Sequence, residues 1–482
     1  MKDTIIVNTL LKLLMASGTV RKTLWKAVEA QIYKNLVNNN TKNRPEEVQK
    51  YKYYILKAMY RPVERNLGRG YISKEVATRL IHTLVKGAML KSAKDAQEKF
   101  KEKYGISPPA FIVLSPTQLC NLHCTGCYAA AGHKTARKIP FEVSRKILQE
   151  IHDEWGARFV TISGGEPLMY DDEHKGILDL CQEFPDMYFL MYTNGTLITD
   201  EVAKQMAELG NITPAISVEG YEEETDTRRG KGIYRRILKA MDNLRKHGVP
   251  FGVSITATRL NANLLMSEEF YDYYFDELGA SYMWIFQYMP IGRGMNVDLM
   301  PTPEQRIAMF RMWQKCLKEK EYFVADFWNS GIVSDGCIAY GRPGGYIYID
   351  WNGNIMPCVF VPYYVDNIFE IYKRGGTISD ALFSEFFKRG REWQYRYGYE
   401  FGKTPKNWLM PCSIRDHYKN FKYNIAKEEV KPEDENALTA IKDPEYEKKM
   451  IEYDETLKKL TEKIWENEFL KEKLKKAKVK TA

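Results

Sequence analysis

Leu119-Cys120-Asn121-Leu122-His123-Cys124-Thr125-Gly126-Cys127-Tyr128 places three thiols within ten residues. With only eight Cys in 482 residues, this fixed spacing would arise by chance roughly 0.002 times, so it reflects a chemical demand. Cys120, Cys124 and Cys127 can fold back on one loop so that three thiolates face one point, which suits a soft metal or an iron-sulfur cluster. Zinc is the rival, but structural zinc closes with four ligands, usually as two close pairs. His123 lies inside the spacing with little room to turn inward. The residues favour a 4Fe-4S cluster with one iron open to a small-molecule ligand.

Apolar runs alternate with helical patterns outward from this loop. The runs are Phe111 to Leu114, Phe159 to Ile162, Met187 to Tyr192, Ala215 to Val218, Phe251 to Ile255 and Met283 to Tyr288. The helical patterns include Phe141 to Trp155, Asp200 to Leu209 closed by Gly210, Tyr234 to His247, and Glu268 to Leu278. Six β/α units in series predict an α/β fold, a parallel sheet curved into a partial (β/α)6 barrel, with active residues at the carboxyl ends of the strands. The polar motifs fall there. Ser163-Gly164-Gly165-Glu166-Pro167 ends the second strand, where two glycines let backbone approach a ligand and Glu166 can pair with an ammonium group. Thr193 and Asn194 end the third strand, Ser217 and Glu219 the fourth, and Ser254 and Thr256 lie on the fifth. Met289-Pro290-Ile291-Gly292-Arg293-Gly294 follows the sixth.

The Cys120, Cys124, Cys127 spacing, followed by Gly-Gly-Glu-Pro, resembles the radical S-adenosylmethionine (SAM) superfamily. The resemblance implies that the open iron chelates the amino and carboxyl groups of SAM, and that one electron cleaves the sulfonium to a 5′-deoxyadenosyl radical. It implies cofactor contacts from Gly164, Gly165, Glu166 and Pro167 to the methionine amino group. Thr193, Asn194, Ser217 and, less directly, Glu219 are expected near the methionine carboxylate and ribose, with an Arg of Asp226-Thr227-Arg228-Arg229-Gly230 meeting carboxylate. Ser254 is placed in the same site, and Gly292 is expected to let adenine rest on backbone. The position before the last Cys is often aromatic in the family but is Gly126 here, so Tyr128 or another aromatic is expected over the adenine. An external electron donor such as a ferredoxin or flavodoxin is also implied.

A second thiol set follows the helix expected from Pro303 to Lys320. Gly336-Cys337 precedes a β-rich stretch in which Asn352-Gly353 predicts a hairpin that carries Cys358 back beside Cys337, and Pro411-Cys412 adds a third thiol. This resembles the SPASM and twitch extensions of the superfamily, with fewer Cys. It implies one auxiliary iron-sulfur cluster held by Cys337, Cys358 and Cys412, the fourth ligand coming from Cys316, a non-Cys side chain or substrate. Cys316 and Cys181 fall in helices, where ordinary packing is the simpler reading.

The organisation expected is a helical amino-terminal extension (1–105), the radical SAM core (106–325), a small α+β auxiliary-cluster module (326–424) and a charged helical tail (425–482). Leu10, Leu14, Leu24, Val28, Ile32 and Leu36 recur at helical spacing among basic residues, a face that suits packing on the protein itself or an anionic membrane surface. A net charge of +8 over 482 residues is too diffuse to announce nucleic acid. Closely spaced reduced thiols place the chain in the cytoplasm, with peripheral membrane contact as the variant. The function expected is hydrogen abstraction from an unactivated C–H bond of a small-molecule, peptide or lipid-like substrate, in an oxidoreductase or a C–C or C–S bond-forming enzyme. The alternative is a non-catalytic iron-sulfur electron carrier or SAM-binding scaffold.

Overall fold

The computed structural model describes residues 18–81, 83, 91–133, 137–400, 403–427 and 429–471. Leu10 and Leu14, singled out above, lie outside them, as does the end of the charged tail from residue 472.

Six strands stand where the apolar runs place them: β1 (Phe111–Leu114), β2 (Phe159–Ile162), β3 (Tyr188–Thr193), β4 (Ile212–Val218), β5 (Gly252–Ala257) and β6 (Tyr282–Gln287). All pair in parallel and in chain order, β1 to β2 with Phe111 opposite Phe159 and Leu114 opposite Ile162. Helices cover the outside. Asp200–Leu209 shows the local logic: Thr199 Oγ1 accepts from Val202 N at 3.2 Å to cap its start, and Gly210 ends it with φ +65°.

The sheet does not stop at six. β7 (Val324–Asp326) lies parallel beside β6, and β8 (Tyr346–Ile349) lies parallel beside β1, Phe111 opposite Tyr346 and Leu114 opposite Ile349. β8 turns at Asn352-Gly353 into the antiparallel β9 (Asn354–Met356). Asp350 braces that turn, accepting from Asn352 N at 2.9 Å and Asn354 N at 2.8 Å. The hairpin expected from Asn352-Gly353 is therefore present, and its first strand is also a barrel strand.

The terminal helices pack on this barrel. In Glu46–Gly68, Tyr51 stacks on Trp313 with ring centroids 5.5 Å apart, and Lys52 Nζ lies 2.5 Å from Asp335. Trp25, in Gly18–Tyr33, is buried and stacked on Tyr60 at 3.7 Å. Part of the amphipathic face is thus covered by the protein's own second helix. Pro444–Ile464 also docks, burying Met450 and Leu457 completely.

A wholly buried ion pair joins the helix Pro303–Lys315 to the carboxyl-terminal segment. Arg306 donates to both oxygens of Asp416 and, at 2.9 Å, to the carbonyl of Leu409. Removing one partner strands the other charge in the core. Asp416→Ala is expected to cost about 3–5 kcal/mol, read as a lower urea midpoint.

Candidate active site and the two thiol sets

The cysteine loop leaves the end of β1 and is held from both sides by backbone contacts that only glycine permits. On the β2 side, Gly165 N donates to Thr117 O at 2.9 Å and Glu166 N to Leu119 O at 2.8 Å. A Cβ at 165 would sit 2.2 Å from Leu119 O, and one at 164, where φ is +110°, 2.6 Å from Thr117 O. On the β6 side, Gly292 (φ +61°) meets the carbonyl oxygens of Tyr128 and Cys127, at 2.1 and 2.6 Å from a would-be Cβ. The space a side chain at 292 would need is taken by the cysteine loop's own backbone.

Arginines satisfy further carbonyls of the loop. Arg293 donates from its backbone N to Cys127 O at 2.8 Å, and from its guanidinium to Cys124 O at 2.7 Å and to Ala131 O. Arg228 donates to Thr125 O at 3.0 Å and to Gly126 O at 3.4 Å. Arg228 and Arg229, at the end of the helix Glu222–Arg229, both pair with Glu219, which is 1% exposed. Glu219 Oε2 also accepts from Thr256 N at 3.3 Å. Glu219 thereby positions the two arginines that grip the loop.

The donor set suits an iron-sulfur cluster. Weak N–H···S contacts reach the thiols: Leu122 N to Cys120 at 3.4 Å, Asn194 Nδ2 to Cys120 at 3.8 Å and Arg229 to Cys124 at 4.0 Å. Such contacts tune a cluster's sulfurs. Burial pushes the Cys120 thiol up to about 11, so metal charge is needed to make it a ligand. Among the described residues no three His, Cys, Asp or Glu side chains are placed to hold a single metal ion.

The three thiols line one cavity of about 230 Å³. One side is polar, formed at the ends of β2 to β5 by Ser163, Thr193, Asn194, Ser217, Ser254 and Thr256. Ser217 and Ser254 share a hydrogen bond at 3.2 Å, and the Tyr128 hydroxyl lies 2.6 Å from Ser163 Oγ. Aromatic rings line the rest, from Phe111, Phe159 and Tyr192 of β1 to β3 as well as from β6, from Phe327 after β7, from Tyr346 and from Phe360. Tyr288 fills the place left empty at Gly126: a Cβ there would lie 2.8 Å from its ring.

Glu166 stands behind the polar side. It is wholly buried and accepts from Thr193 Oγ1 at 2.7 Å, Asn194 N at 2.8 Å and Leu168 N at 3.2 Å. Burial raises its carboxyl above the usual range. Pro167 begins the short turn Pro167–Met169 that Glu166 caps.

The second thiol set lies at the far side of the same cavity. Ile338 and Val359, chain neighbours of Cys337 and Cys358, line it. The Tyr346 ring lines it too, while its hydroxyl donates to Cys358 Sγ at 2.9 Å. Burial pushes Cys358 up to about 12 and Cys337 above its ordinary value. Cys412 is raised by burial, then by Asp416, Cys337 and Cys358, which sets the three thiols in one neighbourhood. Cys316 is buried elsewhere, beside Asp272, and Cys181 is buried in its helix.

The Radical SAM superfamily model matches residues 114–261. This stretch is a radical SAM domain, which marks the protein as an enzyme with a 4Fe-4S cluster and SAM as cofactors. Mycofactocin maturase MftC of Mycolicibacterium smegmatis is 28% identical over 306 residues, covering 60% of this chain and 74% of the relative. AdoMet-dependent heme synthase of Methanosarcina barkeri is 26% identical over 293 residues, covering 54% and 80%. Among solved structures, Streptococcus suis SuiB bound to S-adenosylmethionine has a TM-score of 0.45 at 19% identity, covering 55% of this chain and 64% of that one.

Of the residues named from sequence, the three loop thiols, Gly164, Gly165, Thr193, Asn194, Ser217 and Ser254 meet at the cavity. Glu166, Pro167, Glu219 and Gly292 stand behind its walls. Sequence reasoning named Arg228 and Arg229 without choosing between them, and both are used. It missed Tyr288 and Arg293, although both lie at or just past the sixth strand's carboxyl end. Arg229→Gln, which leaves Cys124 without its cationic neighbour, is expected to weaken cluster retention roughly 10–100-fold, measured as iron and sulfide remaining after chelator challenge.

Proposed function

We propose that this protein reductively cleaves SAM and removes a hydrogen atom from an unactivated C–H bond of a peptide substrate, with Cys337, Cys358 and Cys412 holding one auxiliary iron-sulfur cluster. The observation that carries the proposal is a single cavity bordered by Cys120, Cys124 and Cys127 at one side and by the chain neighbours of Cys337 and Cys358 at the other. When bound, the first cluster supplies the electron that splits the sulfonium.

The protein's own groups bind, orient and exclude water. Ser163, Ser217, Ser254 and Thr256 offer hydroxyls for the ribose and the methionine carboxylate, and Arg228 and Arg229 lend positive charge beside the loop. Tyr288 supplies the aromatic face for adenine that Gly126 lacks. Glu166, behind the wall, holds Thr193 and Asn194 at the cavity. The aromatic rings keep the target carbon dry and close to the site of radical formation.

Maturase names among the relatives support a peptide over a lipid, as does the stacking of Trp25 on Tyr60, which covers part of the face a membrane would need. No helix among the described residues is long and apolar enough to cross a membrane. A cytoplasmic setting with a ferredoxin or flavodoxin as reductant completes the proposal.

Anaerobic reconstituted protein given dithionite and SAM is expected to form 5′-deoxyadenosine; persistent absence would favour an electron carrier or scaffold. Cys124→Ala should abolish that product and lower iron content. Cys358→Ala should lower iron, keep uncoupled cleavage and impair substrate turnover, and unchanged iron in that variant would remove the auxiliary cluster.

A further inference from the structure

Tyr346, the first residue of β8, belongs to the cavity and to the second thiol set at once. Its ring lines the cavity and stacks on Phe111, with centroids 5.1 Å apart and planes 9° apart. Its hydroxyl donates to Cys358 Sγ at 2.9 Å. The backbone on both edges of the strand holds the ring there. Tyr346 N donates to Ile338 O at 2.9 Å and Gly341 N to Tyr346 O at 3.0 Å, while on the other edge Ala110 N donates to Gly345 O at 2.8 Å.

The cavity needs only the ring. Phenylalanine would give the same wall and the same stack, and at a site 2% exposed a hydroxyl without a partner would cost stability. The oxygen therefore serves the sulfur. Other contacts to sulfur are longer and come from N–H groups: Phe360 N reaches Cys358 Sγ at 3.4 Å, and those to Cys120 and Cys124 lie at 3.4 to 4.0 Å. A close donor draws charge from a ligating thiolate. A reduced cluster carries one more negative charge than the oxidised one, so the donor favours the reduced form and the potential rises.

We propose that Tyr346 raises the reduction potential of the auxiliary cluster by donating its hydroxyl to Cys358. The proposal rests on the auxiliary-cluster reading above, with Cys337, Cys358 and Cys412 as ligands, and adds what one residue of the cavity wall does to that group. Tyr346 touches a ligand and not the reacting atoms, so it is a positioning residue acting through Cys358. The side chain that sets the cluster's affinity for an electron is also part of the wall that encloses the reactant.

Tyr340 provides the control. It is wholly buried as well, and its hydroxyl pairs at 2.8 Å with Ser413 Oγ, next in the chain to Cys412, instead of with a sulfur.

The test is a redox titration of the full chain, reconstituted under anaerobic conditions and followed by electron paramagnetic resonance. The signal that added SAM does not shift belongs to the auxiliary cluster. Tyr346→Phe is expected to lower the equilibrium constant for its reduction about tenfold, a midpoint about 59 mV more negative for one electron. Tyr340→Phe should leave the midpoint in place. meta-Fluorotyrosine installed at position 346, a stronger donor, should move it the other way, which disturbed packing would not do; this variant decides the matter if Tyr346→Phe fails to hold its cluster. An unchanged midpoint in Tyr346→Phe, an equal shift in Tyr340→Phe, or no upward shift with the fluorinated ring overturns the proposal and leaves the auxiliary cluster standing. A wild-type protein whose every signal responds to SAM overturns the auxiliary-cluster reading, and the proposal with it.

Discussion

A loop that must present three thiols cannot be a strand or a helix, and so its backbone carbonyls have no ladder to enter. This is the constraint the site is built around. Donors that would ordinarily come from regular structure are supplied by Gly165, Glu166 and Arg293 backbone N–H groups and by the guanidiniums of Arg228 and Arg293. Because the contacts are to main chain, the elements supplying them must come very near, which is why residues 165 and 292 have no side chain. Glu219, buried between two arginines, belongs to the same solution: it keeps their charges compensated while their N–H groups face the loop.

The cavity combines polar groups at the strand ends with aromatic rings from several strands. Hydroxyl and amide side chains end β2 to β5, while Trp284 and Phe286 of β6 continue into Phe327 and across to Phe360. A ligand with a polar, charged body and a reactant with an apolar one each find matching groups in the same cavity.

The parallel series was legible because each strand is a short apolar run and each helix carries its own stop, as at Gly210. The hairpin was legible because Asn-Gly between β-rich flanks favours a tight turn. Less legible were pairings set by distant segments. Nothing in Tyr346-Ile347-Tyr348-Ile349 says that it lies beside Phe111 to Leu114, because parallel pairing depends on everything between the two strands. The glycine at 292 signalled close approach, but not that the approaching group is the Cys127–Tyr128 backbone. Gly126 signalled a missing ring, and its replacement comes from Tyr288, far along the chain. Glu166 and Glu219 were readable as important carboxylates, while their partners emerge only from the fold.

The place of β8 bears on how the protein can be divided. By hydrogen-bonding to β1 it shields an all-apolar strand whose other flank is occupied by β2. A barrel cut off after β7 would bare the N–H and C=O groups of Phe111-Ile112-Val113-Leu114 along an open, sticky margin, the kind of surface on which chains join one another into aggregates. The second thiol set thus travels with a strand that seals the barrel's flank.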